Sequence, residues 1–338
     1  MTVLRKFLLL TLALAAAGAA RAQLAPSQLA LVVNDEEPNS VAVGEEYRKL
    51  RNVPSSNVIH VRIPGSPRKL DADTFAHLKS DIDARLPSGV QAVLFVWTAP
   101  YAVECNGITS AYTLGFDSSQ CDKPCGPGRR NPVFNALPGL APVRLSMLLP
   151  TTSVELSRAV IERGMAAGFS MPKAGAYYLR TSEAARNSRA AFFPHDGVVP
   201  PRRLTIHNLK QDTLENASDV MIYQTGKARV DKLDTLKFLP GALADHLTSF
   251  GGDLLADHQM SSLRWLEAGA TASYGTVSEP CNHWQKFPHP DILLRAYLRG
   301  ASAIEAYWRS VAWPAQGLFI GEPLAAPYRG FAPPAAAK

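Results

Sequence analysis

The sequence predicts an α/β fold: a three-layer sandwich around a mostly parallel sheet of about six strands, with a disulfide-stapled loop excursion. Two features of the chain lead there. Leu29–Val33 and Ala92–Trp97 are apolar at every position, as strands covered on both faces are. Helical stripes alternate with these strands from the start, which calls for right-handed crossovers and parallel pairing.

Leu29–Val33 is the first strand. Pro38–Leu50 follows as a helix that Asn39 or Ser40 can cap, with Val41, Val43, Tyr47 and Leu50 as its apolar stripe. Asn52 and Pro54 end it. Val58–Ile63 is the second strand, and Asp71–Leu86 a helix with Phe75, Leu78 and Ile82 at helical spacing. Ala92–Trp97 is the third strand. From Thr98 to Pro150 no period is sustained, and three of the four cysteines lie there among Gly and Pro. A loop of that length inside a compact domain is functional or stapled. Alternation resumes with a helix over Ser153–Met165, a strand over Ala176–Arg180, a helix over Ser182–Ala191 and a short strand over Leu204–Ile206. Asp219–Tyr223 reads as a strand, and Ala242–Leu247 fits strand or helix. Met260–Ala268 reads as a helix, Ala270–Val277 as a strand, Pro290–Leu298 and Ser302–Val311 as helices, and Leu318–Ile320 as the last strand.

Arg5 and Lys6 precede an uncharged apolar run, Phe7–Ala17, and Ala20-Arg21-Ala22 supplies a small-x-small cleavage pattern. Residues 1–22 are therefore expected to be a signal peptide, leaving a periplasmic or secreted chain. The apolar run is shorter than the about 20 residues of a spanning helix, so no membrane attachment is expected after cleavage. Residues 23–331 are expected to form one α/β domain with 98–150 as an inserted excursion, and the Pro/Ala-rich 332–338 a disordered tail. Removing Arg5, Lys6 and Arg21 leaves 32 basic against 29 acidic side chains. Arg129-Arg130 and Arg202-Arg203 are isolated pairs rather than a stripe, which argues against nucleic-acid binding. Gly251-Gly252-Asp253 lacks the Lys-Ser/Thr of a P-loop, no GxGxxG follows the first strand, and no GxSxG occurs. No cofactor is implied.

Cys105, Cys121, Cys125 and Cys281 make an even count in a chain expected to be exported, which favours two disulfides. Three connectivities are open, and each ties Cys281 to a cysteine of the excursion. Two other readings compete. Cys121-x3-Cys125 has zinc-pair spacing, though the other two thiols have none. Cys281 with His283 or His246 as base could be a nucleophile, provided its thiol is unpaired. The disulfide reading is preferred, and with it no metal site.

Ligands of open α/β sheets bind beyond the carboxyl ends of the strands, so the polar residues there are the candidates. Asp35 and Glu36, followed by Glu37 at a helix start, come after the first strand; Tyr101 and Glu104 follow the third. Thr225 and Lys227 follow the strand ending at Tyr223, and Glu279, Asn282, His283 and Trp284 follow the one ending at Val277. Glu279, His283 and Glu104 are the candidate acids and bases; Asp35, Glu36, Tyr101, Thr225, Asn282 and Trp284 the candidate ligand contacts. Asp245-His246 and Asp257-His258 lack metal-site spacing and are expected to cap or lie on the surface.

Asn34-Asp-Glu-Glu-Pro-Asn-Ser-Val-Ala-Val-Gly44, Glu279-Pro280, Phe287-Pro-His-Pro290 and Gly317-Leu-Phe-Ile-Gly-Glu-Pro323 resemble an uncharacterised family of exported bacterial proteins over nearly the whole mature chain. That resemblance implies a bacterial source and no established activity. More distantly, the strand order, the Tyr223-x-Thr-Gly226 turn and the final Gly-Glu-Pro turn resemble gingipain-type and caspase-like cysteine peptidases. The caspase/flavodoxin-like sandwich follows from that likeness. Such peptidases place His-Gly after one strand and Cys after the next. Here those slots read Thr225-Gly226-Lys227 and Ser249-Phe250-Gly251, without the dyad. The expectation is an exported binding or accessory protein on a degenerate peptidase-like fold; the alternative is a secreted hydrolase using rim carboxylates and His283.

Overall fold

The computed structural model describes residues 24–137 and 141–330. The expected signal peptide and the 332–338 tail lie outside the described residues.

The first strand, β1 (Leu29–Asn34), is buried at all six positions. Helix α1 (Pro38–Arg51) has Pro at its start and stops at Asn52 in the left-handed conformation, a common helix ending. Then come β2 (Val58–Val61), the two-residue β3 (Lys69–Leu70), α2 (Ala72–Arg85) and the fully buried β4 (Ala92–Val96). Asp71 caps α2 by accepting the Thr74 N–H, as an N-cap aspartate should.

The excursion is structured. It folds into a tight hairpin, β5 (Ala102–Val103) and β6 (Asn106–Gly107), which joins β3 in a small second sheet. Helices α3 (Ile108–Leu114) and α4 (Ser119–Asp122) follow, and then β7 (Leu145–Leu149), a fully buried central strand. Beyond it lie α5 (Val154–Ala167), β8 (Ala174–Arg180), β9 (Gly197–Val199), β10 (Leu204–Lys210), β11 (Val220–Thr225) and β12 (Phe238–His246). The chain ends with α6 (Leu263–Glu267), β13 (Ala272–Thr276), α7 (Pro290–Leu298), α8 (Ala303–Ser310) and β14 (Gly317–Gly321).

The main sheet has eleven strands, in the order β2-β1-β4-β7-β14-β13-β12-β11-β8-β10-β9. The expectation of about six strands was too small. β7 lay hidden in the excursion, the three-residue β9 is an edge strand, and the Ala242–Leu247 segment is, up to His246, the end of a nine-residue strand. Ser182–Ala191, expected as a helix, is two separate 3-10 turns, 184–186 and 190–192.

The sheet is mostly parallel, with one reversal at its centre and a second at its edge, where the short β9 pairs antiparallel with β10. β1, β2, β4, β7 and β14 run one way; β13, β12, β11, β8 and β10 run the other. The two blocks meet where β13 pairs antiparallel with β14, Thr276 opposite Gly317 and Ala272 opposite Gly321. The carboxyl ends of the second block therefore adjoin the amino end of β14.

Helices cover both faces. Val33 and Val96 are register partners, so they share a face, and Gly44 of α1 lies directly on Val33. Phe95 points the opposite way and packs edge-on against Tyr112 of α3, 5.2 Å between ring centres. A large core fills both layers, and a second one gathers Tyr223, Trp265, Leu179 and Ala244 under the second block.

All four cysteines are paired, Cys105 with Cys121 and Cys125 with Cys281. Pairing removes the thiolates that a zinc site or a Cys281 nucleophile needs. The long cross-link spans 156 residues and joins the excursion to the loop after β13. The hairpin makes this possible: the Gly107 N–H donates to the Ala315 carbonyl and the Ser278 hydroxyl to the Cys105 carbonyl, bringing the excursion to the carboxyl end of β13.

Candidate functional site

Three segments frame a cavity of about 240 Å³ at the carboxyl ends of the second block: the 3-10 turn after β8, the Leu247–Ser249 loop after β12, and the Glu279–Asn282 loop after β13. Its lining includes Arg186, Thr248, Ser249, Glu279, Cys281 and Asn282, over a buried Phe287.

Each wall is held from behind. Gly275 of β13 abuts the Gly251-Gly252 backbone so closely that a Cβ there would overlap it. The loop after β12 thus lies flat on the strand, fixed by the Gly252 N–H to the Thr276 carbonyl at 2.8 Å and the Thr276 hydroxyl to the Ser249 carbonyl at 2.8 Å. The Thr248 hydroxyl donates to Gln259 at 2.7 Å and accepts from Arg186 Nε at 3.2 Å. Arg186 Nη1 is paired with Glu183 at 2.8 Å. Across the cavity, Glu279 Oε1 accepts the Cys281 N–H at 2.7 Å, while its own carbonyl accepts from Gln316 at 2.6 Å. Cys281 sits at a positive φ of 56°, anchored by its disulfide.

Beneath the floor lies a buried ion pair. Arg189 donates to Asp245, and also to the carbonyls of Thr225 (2.9 Å) and Pro288 (3.2 Å). Gln224 donates to the other Asp245 oxygen at 3.0 Å. Burial pushes the Asp245 carboxyl up, with the Arg189 guanidinium opposing it. A guanidinium can brace three chain segments at once because its five donors form a rigid fork.

His246, expected at a cap or on the surface, is buried. Its Nδ1 accepts from the Trp265 indole at 2.9 Å, and Nε2–H donates to the Met260 carbonyl at 3.0 Å. Both nitrogens are used by the fold, and burial brings the ring pKa down to about 3. Asp245 is buried likewise. Asp257 and His258 are exposed, as expected.

Glu279 and Asn282 line the cavity. Thr225 is buried at the end of β11, its hydroxyl without a partner among the described residues. Tyr101 is buried and donates to Asp253, in the loop that continues from Ser249. Glu104 is exposed at the β5–β6 turn. His283 turns to Trp313, 6.0 Å between ring centres, and Trp284 packs with Phe192 and His289. Asp35 and Glu36 are not brought to this cavity. They stand at the carboxyl end of the first block, paired with His60 at 2.7 Å and Arg62 at 3.9 Å. Arg186, Arg189, Thr248 and Ser249 were not recognised from sequence as site residues. The one signal for Ser249 was its position after a strand, in the slot compared with peptidases.

No family model and no curated protein matches this chain. Among solved structures, a chain described as "Structure of Protease" aligns with 92% of this one and 80% of itself, at 10% identity and a TM-score of 0.48. At that level the likeness says nothing about chemistry here. Among the described residues no helix is long and apolar enough to cross a membrane, and the two disulfides are consistent with an exported protein.

Proposed function

We propose that this chain is a periplasmic or secreted binding protein, and that the cavity between Arg186 and Glu279 is where it takes its ligand. One observation carries the reading: the cavity is walled by fixed, polar, partly exposed side chains, while the groups that could have supplied a nucleophile–base pair are committed elsewhere. Cys281 is in a disulfide, both nitrogens of His246 are bonded within the fold, and His283 faces Trp313. Nucleophilic catalysis needs a base within about 2.6–3.2 Å of the nucleophile, and no hydrogen bond from a histidine to Ser249 or Thr248 is found among the described residues. The resemblance to gingipain-type and caspase-like peptidases supports the same direction, because Thr225-Gly226 and Ser249-Phe250 stand where that dyad would be.

A panel of chromogenic esters, peptides and glycosides, incubated with wild type and Glu279→Gln, tests the reading. No turnover above the blank is expected from either protein. Turnover by wild type that Glu279→Gln abolishes would instead establish a hydrolase working through the rim carboxylate.

A further inference from the structure

We infer that the cavity takes a small zwitterion, a free α-amino acid or a dipeptide, with its carboxylate on Arg186 and its ammonium on Glu279. The inference rests on the binding reading above and adds the class of ligand.

Arg186 and Glu279 line the same cavity, yet no ion pair between them is found among the described residues. Opposite charges left on facing walls are usually drawn together unless something holds them apart. Here each is held by its own partner. Glu183 takes one guanidinium nitrogen and Thr248 another, leaving Nη2 with no hydrogen bond among the described residues. The Cys281 N–H holds Glu279 Oε1, leaving Oε2 likewise. The result is a spaced donor–acceptor pair with fixed orientation, the arrangement that lowers the ordering cost of binding. A guanidinium suits a carboxylate because the geometry of both is planar and forked.

Size points the same way. The cavity, about 240 Å³, falls below the roughly 300–1,000 Å³ of sites for drug-sized ligands. A dinucleotide or a long peptide would not be enclosed; an amino acid would. Asn282 and Ser249 add neutral polar groups to the lining, and Leu247 and Phe287 add apolar surface for a short side chain. The walls cannot drift apart easily, because the Cys125–Cys281 cross-link, the Gln316 bond to the Glu279 carbonyl and the glycine contact under Ser249 pin them.

The test is isothermal titration of the full mature chain, disulfides intact. The probes are glycine, L-alanine, L-serine and L-threonine, then Ala-Ala, then N-acetyl-L-alanine and L-alaninamide, which each lack one charge. At least one zwitterion is expected to bind with unit stoichiometry, and each half-charged analogue at least about tenfold more weakly, since a charge-assisted hydrogen bond contributes about 1.5–3 kcal/mol. The free amino acids and Ala-Ala separate the two sources of a zwitterion. Glu279→Gln should bind free and N-acetylated alanine alike, and Arg186→Gln should bind alanine and alaninamide alike. Melting temperatures within a few degrees of wild type certify folding; Glu279→Gln keeps the acceptor for the Cys281 N–H. Absence of binding by every zwitterion, or equal binding of the half-charged analogues to wild type, overturns the assignment. If only an analogue binds, the cavity is still a binding site and only the ligand class falls. If substrates are turned over, the binding reading itself falls.

Discussion

At the scale of single residues, His246 illustrates how a side chain with the right chemistry can be withheld from it. Its ring lies beside the rim, but Trp265 donates to one nitrogen and Met260 accepts from the other, which selects the neutral tautomer. A proton on Nδ1 would have to displace the indole donor, in a buried site where the charged ring loses its hydration. The energetic consequence has a definite sign. Unfolded, a histidine binds its proton near pH 6.5; folded, burial holds His246 down to about 3. Between those values the unfolded chain carries the extra proton, so the stability present above pH 6.5 declines as pH falls. Urea unfolding at pH 7.5, 5.5 and 4.5 should show wild type losing about 1.4 kcal/mol per pH unit more than His246→Gln below pH 6. Parallel pH dependences for the two proteins would mean that the ring titrates normally and is available as a base.

At the scale of elements, the rim depends on backbone touching backbone. Gly275 in β13 faces the Gly251-Gly252 peptide, and an alanine Cβ there would fall against main-chain atoms. Main chain cannot swing aside as the end of a side chain can, so the loop carrying Thr248 and Ser249 must lift. Gly275→Ala is expected to cost about 1–3 kcal/mol and to weaken ligand binding together with stability. Gly197→Ala, in edge strand β9 with open space around it, should stay within about 0.5 kcal/mol of wild type. Equal midpoints for the two variants in a denaturant titration would refute the close-contact account. Legibility in the sequence follows the same division between local and non-local causes. β1, β4, α1, α2 and α7 could be read because their burial is periodic or continuous along the chain. β7 could not: Ser146 interrupts its apolar run, and its place between β4 and β14 is set by partners far away in sequence. Ser182–Ala191 has helix-forming composition, but Asn187 bonds the Thr181 backbone and Arg189 must reach Asp245. Tertiary bonds overrode propensity there, and with them went any sequence signal for Arg186 as a wall of the cavity.

For the whole molecule, the reversal between β13 and β14 decides which loops can meet. Had all strands run one way, Asp35 and Glu36 would share a rim with Glu279; instead the loops after β8, β12 and β13 form one edge of the second block, and the excursion reaches it only through its hairpin. The two disulfides consequently do different work. Cys105–Cys121 closes 16 residues within the excursion, and Cys125–Cys281 closes 156 and ties excursion to rim. Loop-closure entropy assigns about 3 kcal/mol to the first and about 5 to the second. Local contacts sharpen the contrast. Without the short cross-link, Lys286 still donates to Gln120 at 2.8 Å and to the Pro124 carbonyl, keeping the excursion docked. Without the long one, Cys281 loses the anchor that holds its left-handed backbone, and Glu279 loses a fixed N–H partner. Replacing Cys125 and Cys281 by serine should therefore lower the denaturant midpoint more than replacing Cys105 and Cys121, and should alone abolish ligand binding under conditions where the protein remains folded. If both double variants bind alike, the rim is held by its hydrogen bonds, and the cross-link between excursion and sheet is not what shapes the cavity.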